Sequence, residues 1–550
     1  MKLTDELLRR VFFSFLLLIS FSSVYGQDFS ESEIEEWHRR KYTLQLKKDN
    51  TFYTNDVALT QQTSGTYTID DKSITLTTSS ADTTYSETFT ILTYNEGKVG
   101  KLALGKNGER ITYLTESKSI TGSFTWEGFL RGMLGVVALI ITAFLLSKNK
   151  NRINWPLVIK GILLQVVLAF LILKVPFIEG LFDFISKGFV KVIHMAHEGA
   201  FFVFSSVVTG EMNPMVMNFV TWVLPSVIFF SALTSLFYYW GILQKVVYGM
   251  AWVMKRVMNI SGAESVSAAG NVFLGQTEAP LLVKPYLDKM TDSEILCLMT
   301  GGMATIAGGV LAAYIGFLGG DDPVLQVFFA KHLLTASIMS APAAIVFSKI
   351  ILPETEQFNT NLSVPKNKLG VNALEAIANG TTDGLKLAVN VAAMLIVFIS
   401  LIALANYGVS KIGHYTGLNE VIAGSSSIYT ELSFQYILGN ALAPFAWLMG
   451  VPWQDAMIIG QLIGEKTIIN EFVAYPHLGE LQDEITQKSL IIGTYVLCGF
   501  SNFSSIGIQV GGIGALAPNK KSTLAKYGVI AMVGGTLTCM LTATLVGMLY

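Results

Sequence analysis

The stretches Gly275-Gln276-Thr277-Glu278-Ala279-Pro280-Leu281 and Asn470-Glu471-Phe472-Val473-Ala474-Tyr475 place carboxylates deep inside apolar sequence. A carboxylate at bilayer depth costs roughly 2.5 kcal/mol or more unless it is paired or faces a water-filled cavity. Two such stretches in one chain predict a polar site within a membrane, and they favour a solute pathway.

The composition of the 550-residue chain is that of a membrane protein. Charged residues make up 14% of the chain and its mean hydropathy is +0.50, whereas soluble domains carry about 25% charged residues. Apolar runs of helix length recur from about Trp126 onward, which predicts a mainly α-helical, polytopic protein. The net charge of -2 gives no indication of a nucleic-acid partner.

Cys297, Cys498 and Cys539 all fall in apolar segments, which indicates neither a disulfide framework nor a thiolate metal site.

Residues 1–26 have the order of segments found in a secretory signal peptide. Arg9 and Arg10 precede the apolar run Val11–Ser20, and small residues follow up to Gly26. Acidic residues near the start are atypical of such a segment, so an uncleaved anchor is the alternative.

Residues 27–121 carry the pattern of a small antiparallel sheet or barrel. Turn-forming segments such as Lys48-Asp49-Asn50 separate short runs of β-forming residues. The runs are Tyr42–Leu46, Gly65–Ile69, Ser73–Thr77 and Phe89–Leu92. The pattern around Leu46–Leu76 resembles the lipocalin-like modules of secreted bacterial proteins. The basic loop Ser147–Arg152 follows the first apolar span and is predicted to be cytoplasmic, which places the β domain outside the cytoplasm.

Residues 122–550 are predicted to form the membrane domain, with about eight full crossings of roughly 20 residues each. The predicted spans are Trp126–Leu146, Pro156–Leu173, Phe219–Trp240, Glu294–Phe317, Val324–Ile350, Leu385–Leu404, Tyr436–Leu448, Ser489–Ile508 and Leu524–Leu549. Some of these segments are expected to be half-spans or to lie in the interface.

The second half of the membrane domain repeats the features of the first half in the same order. Each half has an acidic segment, then a membrane-depth carboxylate, then a polar interruption. These are His197–Gly199, Glu278 and Ala304–Gly309 in the first half, and Thr382–Gly384, Glu471 and Ser501–Ser505 in the second. Duplicated halves with matching interruptions are typical of inverted-repeat transporters, whose site lies at the repeat interface. Chance similarity between apolar segments is the alternative.

Two further stretches, Ser261–Pro285 and Trp453–Tyr475, are short and are interrupted by Gly, Gln, Asn or Pro. We expect them to be re-entrant hairpins with polar tips near the membrane centre, with ordinary helices as the alternative. Backbone groups freed at such interruptions are tolerated in a membrane only where they face protein, water, ion or solute. Hairpin tips and helix breaks are therefore the predicted binding surfaces.

From about Trp126 onward the chain resembles the concentrative nucleoside transporters, through four motifs in the same order. The motifs are Gly275–Leu281, Met299–Gly308, Asn470–Tyr475 and Cys498–Ile506. The resemblance implies a secondary active symporter, not an enzyme, that imports nucleosides with a sodium gradient. It further implies a homotrimer in the lipid of a bacterial inner membrane, in which an elevator-like transport domain moves against a scaffold.

The resemblance also assigns binding roles to particular residues. Gln276, Thr277 and Glu278 would face the nucleobase with Val310 as an apolar wall, Glu471, Asn502 and Ser505 would hold the ribose, and Phe500 would line the pocket. These roles suit the chemistry, because a carboxylate can accept from both vicinal hydroxyls of a ribose and a base edge needs donors as well as acceptors.

A sodium site between the first hairpin and a broken helix is also implied by the resemblance. Its ligands would be the carbonyls of Asn271, Leu274 and Ile306 and the hydroxyl of Thr305. Related proteins often carry Ser at the position of Thr305, so the added methyl group leaves the ion preference open. Proton coupling through Glu278 or Glu471 is the alternative.

Three alternatives compete with a nucleoside symporter. One is a carrier of a free nucleobase or another small polar solute. Another is a membrane-embedded enzyme with Glu278 and Glu471 as an acid–base pair, but no nucleophile motif or phosphate loop accompanies them in the sequence. The third is a binding module formed by the β domain and tethered by the membrane part, which does not explain polar motifs at membrane depth. His194 and His197 lie three residues apart and are interpreted as part of a surface helix, without a site role.

Overall fold

The computed structural model describes residues 125–205, 219–320, 322–358, 371–425 and 429–550, together with the strands of an N-terminal unit. The chain divides into two compact units, Met1–Lys118 and Ser119–Tyr550. The signal peptide predicted at residues 1–26 lies outside the described residues.

The N-terminal unit is a closed antiparallel barrel in which β1 to β8 follow chain order and β8 returns to β1. The strands are β1 (Ile34–Arg39), β2 (Tyr42–Lys47), β3 (Thr51–Thr54), β4 (Ser64–Asp70), β5 (Ser73–Ser80), β6 (Thr83–Asn95), β7 (Lys101–Lys106) and β8 (Glu109–Leu114). Alternate residues such as Ile74 and Leu76 on β5 are buried, as expected for a strand with one face inside the barrel.

The four runs predicted from β-forming residues fall within β2, β4, β5 and β6. The sequence pattern missed the other four strands. Adjacent charged residues, Glu35-Glu36 in β1 and Glu109-Arg110 in β8, weaken the β-forming signal there.

The second unit is helical. Its α-helices are α1 (Trp126–Leu145), α2 (Trp155–Lys174), α3 (Pro176–Phe204), α4 (Phe219–Tyr239), α5 (Ile242–Met258), α6 (Gly262–Asn271), α7 (Lys284–Leu287), α8 (Asp292–Ala304), α9 (Gly308–Gly319), α10 (Pro323–Ile351), α11 (Ala373–Thr416), α12 (Leu418–Ser425), α13 (Phe434–Leu448), α14 (Trp453–Ile468), α15 (Glu471–Glu480), α16 (Gln487–Leu497), α17 (Phe503–Leu516) and α18 (Lys521–Gly547).

Five helical segments in the described part of the chain are long and apolar enough to cross a membrane, or six if one bent pair is counted. They are Trp126–Leu145, Trp155–Lys174, Asp292–Gly319, Pro323–Ile351 and Pro518–Gly547, and the bent pair is Leu224–Tyr239 with Ile242–Met258. This count rests on helix length and composition alone, so the expectation of about eight crossings stays a prediction. The span predicted at Tyr436–Leu448 is the 15-residue α13, which is shorter than the roughly 20 residues that a span needs. The span predicted at Ser489–Ile508 is divided between α16 and α17.

The predicted breaks are present at matching places in the two halves. One lies between α8 and α9, and the other lies between α16 and α17. At the second break Gly499 has a φ of +113°, and a Cβ atom there would lie 2.7 Å from the Ala304 backbone. Glycine is therefore required, both for its backbone angle and for the close approach of the two breaks.

Both predicted hairpins have polar tips between short helices. The first is built from α6 and α7 around residues 272–283, and the second from α14 and α15 around residues 469–470. Ser261 begins α6 with a capping box to Glu264, and Asn470 begins α15 by accepting from the Val473 backbone nitrogen. Polar capping residues thus decide where the chain re-enters a helix.

Candidate functional site

The two hairpin tips and the second helix break meet through two side-chain hydrogen bonds. Gln276 Nε2 of the first hairpin donates to Ser505 Oγ of α17 at 3.0 Å. Asn502 Nδ2 at the second break donates to Glu471 Oε2 of the second hairpin at 2.8 Å. All four side chains are buried, with exposed fractions between 1% and 8%. A polar centre is therefore enclosed within an otherwise apolar helical unit.

Asn502 links this centre to the start of α17. Its Oδ1 accepts from the Ser505 backbone nitrogen at 2.9 Å and from Ser504 Oγ at 2.7 Å. Because the oxygen is held by the helix N-terminus, the amide nitrogen is left to face Glu471. The residue that ends the break also orients the carboxylate.

Glu471 is the first residue of α15. A carboxylate at a helix N-terminus is stabilised by the positive end of the helix dipole. The backbone therefore favours a negative charge at this point of the site, where a ligand hydroxyl could donate to it.

The other residues predicted to face the nucleobase or line the pocket do not belong to this hydrogen-bonded centre. Glu278 accepts from the Gly275 backbone nitrogen at 3.3 Å, and both it and Thr277 are exposed. Val310 and Phe500 are buried in the apolar core. The structure therefore joins four of the predicted residues by hydrogen bonds and leaves Thr277 and Glu278 on an accessible surface.

Two residues of this centre escaped the sequence-based prediction. Gln509 Nε2 donates to Gln276 Oε1 at 3.1 Å and to the Met299 carbonyl at 3.1 Å. Gln509 lies four residues after Ser505, so both face the same side of α17. Two polar side chains four residues apart in an apolar helix could have identified Gln509 from the sequence.

Tyr314 on α9 is the second missed residue. Its ring stacks on Tyr475 with centroids 4.1 Å apart and meets Phe472 edge to face at 5.4 Å. Its hydroxyl lies near the Glu471 carboxylate but makes no well-aligned hydrogen bond in the described part of the chain. Tyr314 thus covers the Glu471 side of the centre.

The four predicted sodium ligands belong to segments that pack against each other. Gly308 N donates to the Phe273 carbonyl at 3.0 Å, which joins the first hairpin to the first break. Thr305 Oγ1 donates to the Gly301 carbonyl at 2.9 Å, which leaves its lone pairs available as acceptors. The Asn271 side chain is fully buried, and neither of its polar atoms has a hydrogen-bond partner among the described residues. An amide oxygen with no donor in the described ranges and a hydroxyl with free lone pairs are hard oxygen ligands of the kind that an alkali cation takes.

A buried ion pair anchors the first hairpin away from the polar centre. Lys349 Nζ of α10 lies 2.5 Å from Glu264 Oε1 of α6 and 3.3 Å from Glu354 Oε2. It also donates to Ser293 Oγ at 2.8 Å. These contacts fix the base of the hairpin rather than its tip.

Three family profiles match the helical unit. "Na+ dependent nucleoside transporter N-terminus" matches residues 134–207, and "Na+ dependent nucleoside transporter C-terminus" matches residues 332–547. A profile described as "Nucleoside recognition" matches residues 220–321. Together they cover both hairpins and both helix breaks.

Similar curated proteins carry transporter names. The chain is 40% identical over 433 residues to "Solute carrier family 28 member 3" of Mus musculus, covering 76% of this chain and 58% of that protein's length. It is 37% identical over 427 residues to "Nucleoside permease NupC" of Helicobacter pylori, covering 76% of this chain and 97% of the permease. An "Uncharacterized transporter" of Haemophilus influenzae is 40% identical and is covered over 97% of its length. None of these three is named as an enzyme.

Solved structures with the same fold record more than one state. The structure described as "CNTnw in an inward-facing substrate-bound state" matches with a TM-score of 0.68 at 34% identity, covering 77% of this chain and 98% of that one. A variant of the same protein in an outward-facing state matches with a TM-score of 0.69 at 34% identity, with the same coverage. The fold of the helical unit is therefore that of these transporters.

Proposed function

The chain belongs to the Na+-dependent nucleoside transporter family, and from that membership we propose that it is a symporter importing nucleosides with a sodium gradient. The observation that carries this proposal is the buried polar centre, in which the Gln276–Ser505 and Glu471–Asn502 pairs join both hairpins to a helix break. The buried carboxylate in this centre costs free energy that a polar ligand can offset.

The proposed ribose side consists of Glu471, Asn502 and Ser505. A carboxylate accepts from two hydroxyls at once, and an amide or hydroxyl completes the bonding of a sugar. The proposed base side consists of Gln276, Thr277 and Glu278, with Val310 and Phe500 as apolar walls. The exposure of Thr277 and Glu278 supports this division, because a ligand can reach them.

Sodium is the proposed coupling ion, held by the carbonyls of Asn271, Leu274 and Ile306 and by the Thr305 hydroxyl. Bound there, the ion would supply positive charge between the first hairpin and the first break. The unpartnered polar atoms of Asn271 and the free lone pairs of Thr305 support this assignment.

Transport is proposed to proceed by an elevator-like movement in a homotrimer embedded in lipid. The solved relatives are described in inward-facing and outward-facing states, which supports alternating access. Large apolar side chains on α11, such as Ile396 and Leu404, are 70% and 68% exposed in the single chain. Surfaces of that kind suit lipid or neighbouring copies. We further propose a bacterial inner membrane, with the β unit on the extracytoplasmic side.

Uptake of radiolabelled uridine and adenosine into proteoliposomes, with and without an inward sodium gradient, tests the function directly. We expect accumulation of at least one nucleoside only with the sodium gradient. Accumulation that follows a proton gradient instead would establish proton coupling and overturn the sodium assignment.

Competition by free uracil and adenine tests the proposed cargo. Because Glu471, Asn502 and Ser505 are assigned to the ribose, a free base should compete poorly with the matching nucleoside. Equal competition by the base would identify a nucleobase carrier and contradict the proposed cargo.

A further inference from the structure

The hydrogen bonds around Gln509 have only one possible direction. The Met299 backbone carbonyl can only accept, so the group of Gln509 that lies 3.1 Å from it must be the amide nitrogen. The same nitrogen lies 3.1 Å from the Gln276 side chain, which must therefore present its oxygen there. A fixed backbone group thus determines the orientation of both amides.

This direction continues to Ser505. With its oxygen held by Gln509, Gln276 presents its nitrogen to Ser505 Oγ at 3.0 Å. Ser505 Oγ accepts that bond, which leaves its own hydroxyl proton to donate elsewhere. The second proton of the Gln276 amide nitrogen is also available. The site therefore presents two donors at this point.

Close packing holds the side-chain amides of Gln276 and Gln509 in one orientation. A Cβ atom at Gly302 would lie 2.7 Å from the Gln509 side-chain nitrogen and 3.1 Å from Gln276 Cβ. Gln509 is fully buried, and reversing its amide would place Oε1 against the Met299 carbonyl oxygen, where neither atom can donate. A free glutamine amide turns over readily, because its terminal torsion is broad and roughly two-fold. Here the neighbours remove that freedom.

We propose that Gln509 is a positioning residue that fixes which end of the Gln276 amide faces the base, and that it thereby sets selection between bases. The proposal rests on the proposed function, in which Gln276 reads the base. With Gln276 fixed as a donor, the site favours bases that present a carbonyl oxygen over bases that present an amino group.

Two pairs of nucleosides test this selection. Uridine and cytidine, like inosine and adenosine, differ by a carbonyl oxygen against an amino group at one ring position. Inhibition constants for uptake in proteoliposomes are measured for all four, together with 2′-deoxyuridine. In the wild type, we expect the carbonyl member to bind more tightly, by about fivefold for one neutral hydrogen bond.

The decisive variant is Gln509→Met, which keeps the length of the side chain and removes its donor. The preference for the carbonyl member of each pair should fall toward one. The preference for uridine over 2′-deoxyuridine should change less, because Asn502 and Glu471 on the ribose side bond to each other and not through Gln509. Gln509→Glu is a second isosteric variant. It cannot donate to both acceptors and so no longer fixes Gln276 as a donor, and the preference for the carbonyl member should fall to one or below. It also keeps the test decisive if the Met variant does not fold.

Ile508→Met is the matched control, since Ile508 is 44% exposed on the same helix. It should keep both preferences. A wild type that transports nucleosides without this preference, or Gln509 variants that retain it, would overturn the role of Gln509. A wild type that transports no nucleoside would instead refute the proposed function.

Discussion

Glu471 both begins a helix and presents a carboxylate to the proposed ligand. It begins α15, where the helix dipole favours its charge, and it accepts from Asn502 at 2.8 Å. One of its oxygens thus has a protein partner, while the remaining lone pairs are free for ligand hydroxyls.

We predict that Glu471→Gln lowers the kcat/KM of nucleoside uptake at least about tenfold, because a charge-assisted hydrogen bond is worth about 1.5–3 kcal/mol. Uptake kinetics in proteoliposomes provide the measurement. Glu198→Gln, the same change at an exposed position on α3, is the control and should behave as wild type. Normal uptake by a well-folded Glu471→Gln protein would remove Glu471 from the site.

Thr305 provides the only side-chain hydroxyl in the proposed sodium site. We predict that Thr305→Val, which keeps the shape but removes the hydroxyl, weakens the apparent sodium affinity of uptake by about fivefold or more. A sodium titration of uptake is the measurement. Thr305→Ser retains the hydroxyl and should stay close to wild type. An unchanged sodium dependence in the valine variant would place the ion elsewhere.

Polar residues at membrane depth could be predicted from the sequence more readily than the residues that contact and orient them. Glu471 and Gln276 stand out because their motifs interrupt apolar sequence, whereas Gln509 and Tyr314 lie within regular helices. Nothing in linear sequence shows that Gln509 reaches Met299, a residue of a different helix. The family was predicted correctly from four motifs.

At the scale of elements, the breaks and hairpins were predicted well and the spans less well. Capping residues such as Asn502, with glycine and proline, mark where helices end, and these signals are local. Whether a 15-residue segment such as α13 crosses a membrane depends on its neighbours instead. The expected number of about eight crossings therefore stays a prediction.

The ion pair at the base of the first hairpin is predicted to stabilise the fold. Lys349→Met leaves two carboxylates without their cation, and removing one partner of a buried pair costs about 3–5 kcal/mol. Thermal unfolding in detergent should show a lower midpoint.

Two comparisons identify the cause of that loss. Adding Glu264→Gln to Lys349→Met should recover part of the stability, because it removes a buried charge. Lys386→Met affects an exposed pair with Asp383, which is worth about 0–1 kcal/mol. Equal losses from the two lysine substitutions would argue against a buried electrostatic role.

At the scale of the whole molecule, the chain joins a β-barrel to a transporter unit, and the family profiles match only the latter. We predict that deletion of residues 27–121, with the signal segment retained, preserves sodium-driven uptake in reconstituted vesicles. The two hydrogen bonds that define the polar centre join residues beyond 270. Loss of nucleoside binding by a correctly folded deletion variant would show that the barrel helps to form the site.

The close approach of Gly499 to Ala304 has a consequence for energy conversion. The contact joins one helix break, next to the proposed ion, to the other, next to the proposed sugar site, and it is made by main chain rather than by side chains. Changes of side chain around the cargo therefore leave this junction intact. We expect variants of this protein with altered solute selectivity to remain tightly coupled to the proposed ion.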